Sequence, residues 1–360
     1  MATTEHGAPL APLTTMRVGG PADTLVTAET SAEVIDAVRA ADEAGTPLLL
    51  LSGGSNLVIS DDGFAGTVVR IATKGVHVEP VDGDTGGVVD VTVAAGEVWD
   101  DVVARAVSEG WSGIEALSGI PGLAGATPVQ NVGAYGQEVA QTISRVVTWD
   151  RQEQRQRTFT NADCEFTYRH SVFKATGRYV VLEVTFRLAL GDLSAPVAYA
   201  DLATHLGVEQ GERAPLAAVR EAVLAQRGKR GMVLAAEDHD TWSCGSFFTN
   251  PILPVEQMDA LVARAAERLG ADGPVPPVFP AGEGQAKTSA AWLIDKAGFT
   301  KGYAMPGPAA LSTKHTLAVT NRGEARAADV AALAREVRDG VRDAFGVTLV
   351  NEPVFVGHSL

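Results

Sequence analysis

The sequence predicts an α+β protein of more than one domain, and three observations carry that expectation. The chain has 360 residues, more than one ordinary core accommodates and enough for two or three domains. Apolar residues recur with period two in some stretches and at helical spacing in others, and the two patterns alternate along the chain. Between them lies one long glycine-rich stretch, Gly113 to Gly136, too rich in glycine for a helix interior and too apolar for a linker.

Taken in order, the extreme N-terminus shows no tethering pattern and is expected to be disordered. Thr30-Ser31-Ala32-Glu33 reads as a capping box, and Val34, Ile35, Val38 and Ala41 follow on one helical face until Gly45 ends it. Pro47 to Leu51 is wholly apolar, as in a buried strand, and runs straight into Ser52-Gly53-Gly54-Ser55-Asn56. Val68 to Ile71 and the alternating Val89, Val91 and Val93 read as strands. Glu97 to Glu109 is helical through Val98, Val102, Ala106 and Val107, and Gly110 stops it. Val180 to Leu190 alternates, with Leu182, Val184, Phe186 and Leu188 facing one way and Glu183, Thr185 and Arg187 the other.

Leu216 to Arg227 is a helix, Pro274 to Pro280 a turn region, and Thr288 to Ala297 a helix around Trp292 and Leu293. Leu317 to Thr320 is a short strand. Val330, Leu333, Ala334, Val337, Val341 and Phe345 trace one face of a long helix. Val347 to Val350 is expected to be the last strand, leading into Asn351-Glu352-Pro353. There is no internal repeat or low-complexity tract.

The net charge of −15 argues against a general nucleic-acid or anionic-membrane binder. An acidic chain that binds an anionic small molecule must gather its cations locally. The two cysteines, Cys164 and Cys244, lack a CxxC partner and are expected to be buried thiols rather than a disulfide, because no secretory signal precedes them. No apolar run is long enough to span a bilayer. A cytoplasmic monomer is expected. The histidines lack metal-ligand spacing, so no metal is expected.

Chemistry is concentrated in five motifs. Ser52-Gly53-Gly54-Ser55-Asn56 follows a buried strand, where adjacent glycines let backbone N–H groups converge on phosphate oxygens; a plain tight turn is the bland alternative. In Ser118-Gly119-Ile120-Pro121-Gly122-Leu123-Ala124-Gly125-Ala126-Thr127-Pro128, small residues recur so that backbone can approach a flat ligand. Its spacing and prolines exclude a Rossmann loop. It continues into Val129-Gln130-Asn131-Val132-Gly133-Ala134-Tyr135-Gly136, whose amides suit the hydrogen-bonding edge of a flavin, or simply satisfy each other. Tyr168-Arg169-His170-Ser171 offers a bidentate cation beside a phenol, or a surface ion pair. Cys244-Gly245-Ser246-Phe247-Phe248-Thr249-Asn250-Pro251 sets a serine against two aromatics, with no Gly-x-Ser-x-Gly elbow; a turn entering a strand is the alternative. Asn351-Glu352-Pro353-Val354-Phe355-Val356-Gly357 places a carboxylate in an apolar C-terminal segment, which is unusual if buried.

Together these motifs resemble the UDP-N-acetylenolpyruvoylglucosamine reductase family, whose FAD-binding domain belongs to the superfamily typified by vanillyl-alcohol oxidase. The resemblance runs from Thr15-Met16-Arg17-Val18-Gly19-Gly20 to Gly357. It implies a two-part PCMH-type FAD-binding domain plus a C-terminal α/β substrate-binding domain. The expected segments are 1–75 plus 347–360, then 76–230 with an insertion of the type I enzymes near 190–230, then 231–346. It implies FAD contacts from Gly53, Gly54, Ser55, Asn56, Leu57, Ser118, Gly119, Ile120, Pro121, Gly122, Gly125, Ala126, Gln130, Asn131, Gly133, Ala134 and Tyr135, with NADPH as the reductant.

It also implies roles. Tyr168-Arg169-His170-Ser171 is similar to the family's Tyr-Arg-x-Ser, which makes Arg169 catalytic and Tyr168 a substrate contact. Ser246 matches the family's proton donor and Asn250 a substrate contact. Glu352 matches the catalytic glutamate, although Pro353 departs from the Val-Arg that follows it in some members. Ala198-Tyr199-Ala200-Asp201-Leu202 resembles the type I segment whose tyrosine packs over the UDP-sugar. Arg230 or its neighbour Lys229, in the densest basic cluster of the chain, is expected to meet the substrate phosphate. Lys287 and His315 complete the expected substrate contacts. The reaction implied is NADPH-dependent reduction of the enolpyruvyl ether of a UDP-sugar. An FAD-linked alcohol oxidase of the same superfamily is the alternative, and a non-catalytic nucleotide-binding regulator a second one.

Overall fold

The computed structural model describes residues 2–81 and 87–360. In chain order, β1 (Thr3–Pro9) and β2 (Pro21–Ala28) precede α1 (Ser31–Glu43). Then β3 (Leu48–Leu51), β4 (Leu57–Ile59), β5 (Phe64–Ile71), β6 (Val76–Pro80) and β7 (Val88–Ala94) lead to α2 (Trp99–Ser108). Next come β8 (Trp111–Ser112), β9 (Gly133–Ala134), β10 (Gln137–Glu138), β11 (Ile143–Asp150), β12 (Arg155–Thr160) and β13 (Tyr179–Leu190), followed by α3 (Ala200–Leu206) and α4 (Leu216–Lys229). The remainder runs β14 (Ile252–Pro254), α5 (Val255–Leu269), β15 (Phe279–Pro280), β16 (Gln285–Lys287), α6 (Ala290–Ala297), β17 (Ala309–Leu311), β18 (Val319–Asn321), α7 (Ala327–Phe345) and β19 (Val354–Val356).

The chain divides into two compact units. The first comprises Met1–Ala8, Ala22–Gly54 and Ala65–Lys229, the second Pro9–Pro21, Ser55–Phe64 and Arg230–Leu360. This division cuts across the segments expected from sequence, because 9–21, 55–64 and 347–360 group with 230–346. The reason is local pairing. Val354, Phe355 and Val356 of β19 lie parallel to Leu57, Val58 and Ile59 of β4, and Met16, Val18 and Val58 are buried in one cluster with Leu261, Leu293, Val337 and Phe345.

Within the first unit, one sheet has the order β1-β2-β5-β3, with β3 parallel to β5 from Leu48↔Thr67 to Leu51↔Arg70. The N-terminus is therefore not disordered: Thr3–Pro9 is an edge strand. Its side chains are mostly exposed, so its order comes from the backbone ladder, which leaves no apolar periodicity to read. In α1, Thr30 Oγ1 accepts from Glu33 N at 3.2 Å while the Glu33 carboxylate accepts from Glu29 N at 2.9 Å, a cap whose return bond lands one residue upstream of the usual box.

The second sheet has the order β12-β11-β13-β7-β6, with β8 also on β13. Its central strand β13 buries Leu182, Val184, Phe186 and Leu188, as the alternation predicts, and Trp99 of α2 packs on Phe186 with ring centroids 5.3 Å apart. Leu202 of α3 and Val219 and Val223 of α4 form a satellite core with Ala116 and Val197.

In the second unit α5, α6 and α7 pack around Phe247, Phe248 and the two-stranded β17–β18 ribbon. The α7 face predicted from sequence is buried throughout, from Val330 to Phe345. The expected strand at 347–350 does not form. Val350 is exposed, and the last strand is β19, beyond Pro353.

Candidate active site

The glycine-rich loops of the first unit meet each other. A Cβ on Gly53 would lie 2.6 Å from Gly122 Cα, so the close approach of the two backbones requires glycine there. A Cβ on Gly125 would lie 2.4 Å from Ala95 Cβ, which seats that turn against the end of β7. Ser52 Oγ is buried without a hydrogen-bond partner, and such a group calls for a polar ligand or water. A backbone cradle that a Cβ would fill, with an unsatisfied hydroxyl at its start, fits FAD.

The cradle also shows where side chains are already occupied. Ser118 Oγ donates to Glu115 O at 2.7 Å. Asn131, 1% exposed, donates through Nδ2 to the Glu138 carboxylate at 2.7 Å and to Thr167 O at 3.1 Å, while its Oδ1 accepts from Ala140 N at 3.1 Å. Its amide thus braces the β9–β10 hairpin and the turn that precedes Arg169.

Arg169 is held by that scaffold. Its guanidinium donates to Gly133 O at 2.9 Å and Asn131 O at 3.4 Å, and its Cζ lies 5.2 Å from the centroid of the Tyr168 ring. Lys174 Nζ donates to Arg169 O at 2.8 Å. Arg169 has φ +55, a left-handed conformation that costs a residue with a Cβ about 1 kcal/mol or more and clusters at functional sites. Asn131 and Tyr135 share that region, with φ +47 and +50. Tyr199, 47% exposed, meets Tyr135 edge to face with centroids 5.8 Å apart.

In the second unit three distant motifs are knotted together. Glu352 N donates to Phe247 O at 2.9 Å, Thr249 N to Val350 O at 3.0 Å and Val354 N to Asn56 O at 2.9 Å. Asn56 Nδ2 donates to Glu352 O at 3.2 Å. The residues after Ser246 therefore run beside Asn351-Glu352, and Asn56 closes the group. Cys244 is buried and free. Burial, helped by the Glu352 charge, pushes its thiol up to about 12, so it is a packing group and not a nucleophile. Cys164 is likewise buried and free, its thiol pushed up to about 12 by burial and then by Asp163.

The expected substrate contacts of this unit lie on neighbouring segments, since Thr288 N donates to Pro251 O at 3.0 Å and Thr316 Oγ1 to Ala291 O at 3.4 Å. Asn250 Oδ1 accepts from Ala290 N at 3.0 Å, at the start of α6. Lys287 sits on β16 opposite Ile252 and Phe279. His315 is held neutral down to about 4 by burial, then by the charges of Arg230 and Lys301, which places three nitrogen-bearing side chains in one electrostatic neighbourhood. Among the described residues no group of three or more His, Cys, Asp or Glu could hold a metal ion, and no helix is long and apolar enough to cross a membrane.

Two carboxylates that sequence reasoning passes over also belong here. Asp100 accepts from Gly119 N at 2.6 Å, and Glu115, fully buried, accepts from Gly113 N at 2.7 Å. Neither lies in a motif, and an acid in or near a helix's first turn reads as ordinary dipole compensation.

The chain is similar to known proteins over almost its whole length. A family model described as FAD binding domain matches residues 22–151. A second, described as UDP-N-acetylenolpyruvoylglucosamine reductase, C-terminal domain, matches residues 237–356. The UDP-N-acetylenolpyruvoylglucosamine reductase of Streptomyces avermitilis is 64% identical over 357 residues, covering 99% of this chain and 95% of the relative. That of Thermobifida fusca is 54% identical over 352 residues, covering 98% of each. Among solved structures, UDP-N-acetylenolpyruvylglucosamine reductase from Thermus caldophilus gives a TM-score of 0.65 at 24% identity and covers 99% of both chains. 6-Hydroxy-D-nicotine oxidase from Arthrobacter nicotinovorans gives 0.52 at 15%, covering 98% of this chain and 89% of its own. At these two identities the likeness is one of fold.

Proposed function

The chain belongs to the UDP-N-acetylenolpyruvoylglucosamine reductase family, and from that premise we propose how its residues carry out the reaction. The substrate is UDP-N-acetylglucosamine enolpyruvate and the product UDP-N-acetylmuramate, a precursor of peptidoglycan. FAD, when bound, supplies a hydride to C3 of the enolpyruvyl group and is recharged by NADPH.

The chain's own residues govern the charge and the proton. Hydride arrival at C3 leaves an electron pair at C2, conjugated with the substrate carboxylate. Arg169, pre-aimed by Gly133 O and Asn131 O, stabilises that charge without reorganising. Glu352 acts on the same species protonated or through a water, since a bare carboxylate would repel it. Ser246 gives its hydroxyl proton to C2. A serine is a weak acid, so it serves only a very basic carbon and only when fixed in place. Tyr168, Tyr199, Asn250, Lys287, His315 and Arg230 are assigned to the UDP-sugar, with the cationic neighbourhood of Arg230 and Lys301 suited to its phosphates.

The observation that carries this reading is the backbone knot of Asn56, Phe247 and Glu352, because it unites one flavin-loop residue with the motifs of the proton donor and the glutamate. The oxidase alternative is not favoured, since relatives at 64% and 63% identity are reductases by name and the oxidase likeness is one of fold. A cytoplasmic monomer is the corresponding assignment of place and assembly. The test is NADPH oxidation by the purified protein with and without the enolpyruvyl UDP-sugar. Turnover that depends on the sugar is expected; equal rates in its absence, with oxygen consumed, would overturn the assignment.

A further inference from the structure

Asp100 lies in the first turn of α2, and its carboxylate joins two parts of the chain that are distant in sequence. Oδ1 accepts from Gly119 N at 2.6 Å. The Arg220 guanidinium grips both oxygens, at 2.7 and 2.9 Å. Gly119 opens the Gly-Ile-Pro-Gly loop of the flavin cradle, and Arg220 sits on α4, in the inserted region after residue 190. Burial opposes ionisation of Asp100, but the Arg220 guanidinium and the Gly119 N–H outweigh it and hold the carboxyl below the ordinary range. Such a bidentate, charge-assisted arrangement is the strong kind of hydrogen bond.

The rest of the loop is sewn to residues 95–99 by backbone. Trp99 N donates to Gly122 O at 3.0 Å, Ala124 N to Glu97 O at 2.8 Å and Gly125 N to Ala95 O at 2.9 Å. The N–H of Gly119 goes instead to a side chain that is itself held from α4. Gly119 and Gly122 have φ +71 and +115, in conformations that cost backbone entropy to hold. Glu115 repeats the connection. Its carboxylate accepts from Gly113 N at 2.7 Å, Gln137 Nε2 at 2.8 Å and Ala195 N at 2.7 Å. Ala195 precedes Tyr199 in the inserted segment, while Glu115 O receives Ser118 Oγ of the loop.

We propose that Asp100, Arg220 and Glu115 are positioning residues that tie the flavin loop at Ser118–Gly122 to the inserted segment 190–230, so that holding the flavin and ordering the insertion are a single linked equilibrium. The proposal rests on the reading of this chain as an FAD enzyme. Whatever favours the ordered loop favours the ordered insertion, and by linkage the converse holds. The segment that bears Tyr199 is thereby prepared by the cofactor before the sugar arrives.

The test uses the flavin-stripped full chain and two readouts: the FAD dissociation constant from flavin fluorescence, and hydrogen exchange in peptides covering 190–230 with and without FAD. In the wild type, FAD is expected to slow exchange in that segment. Asp100→Ala is expected to raise the FAD dissociation constant about tenfold or more, as for a lost charged hydrogen bond, and to abolish most of the FAD-dependent slowing. Arg220→Met acts in the same direction and, since Gly119 keeps its acceptor, to a smaller extent. The double variant should be little worse than Asp100→Ala alone. A merely structural role would lower the melting temperature and leave the FAD-dependent difference intact. If Asp100→Ala does not fold, Arg220→Met decides on the same two readouts. FAD affinity within twofold of wild type together with undiminished slowing overturns the coupling. Failure of the wild type to take up FAD would instead overturn the flavoenzyme reading on which it stands.

Discussion

Ser246, Arg169 and Glu352, the residues proposed for the chemistry, each sit in a short motif whose neighbours are unusual. Ser246 stands between glycine and two aromatics that are fully buried, and Phe247 N is tied to Leu317 O at 2.8 Å, so its backbone is fixed by the core beneath it. Ser246→Ala should leave that packing intact. It is expected to bind FAD and to be reduced by NADPH as the wild type is, yet to turn over the sugar ~10²–10⁴-fold more slowly, the usual worth of an oriented proton donor. Single-turnover flavin reoxidation by the sugar checks this, and a near-normal rate removes Ser246 from the chemistry. Asp100 and Glu115 were not legible. Their partners are a backbone N–H of Gly119 and one of Ala195, and no side-chain pattern announces which backbone groups a fold will leave in need of an acceptor.

Elements whose burial repeats along the sequence were predicted closely. β13 and α7 are the clearest cases, since one face of each is in the core. Elements held by other means escaped: β1 by its ladder, α3 because seven residues are too few to establish a helical period, and β19 because its register is set by β4. α5 escaped despite burying Met258, Leu261 and Ala265 at helical spacing, a signal that was available. The β11–β12 hairpin illustrates a turn closed by charge. Asp150 is fully buried and accepts from Gln152 N, Glu153 N and both arms of Arg178. The Arg178 pair, working against burial and with those N–H groups, holds its carboxyl at about 2 rather than 3.8. The folded value is depressed, so the stabilisation is present above about 3.8 and fades as pH falls toward about 2. Asp150→Asn should therefore lower the melting temperature at neutral pH, and the gap from wild type should close across that acid window. A gap that stays constant with pH would show that the charge is not what closes the turn.

At the scale of the whole molecule, His315 sets a second acid limit. Burial first, then Arg230 and Lys301, lowers it from 6.5 to about 4. Between those values the unfolded chain binds a proton that the folded chain refuses, so stability falls as pH drops from about 6.5 to about 4, by at most about 3 kcal/mol. His315→Gln should flatten the melting temperature over that range, and parallel curves for variant and wild type would dismiss the assignment. The sequence alone determined the class of fold and the helices and strands with one buried face, because periodicity is a local property; short motifs, equally local, are what point to the loops proposed for the flavin and the three residues proposed for the chemistry. Tertiary structure decided the rest. It made the N-terminus a strand, grouped β4 with β19, pressed Gly53 on Gly122, knotted Asn56 to Glu352, and gave Asp100 both Gly119 and Arg220. These depend on which backbone groups and which faces are brought together across long stretches of chain, and only the need to pair buried polar groups in a packed interior settles that.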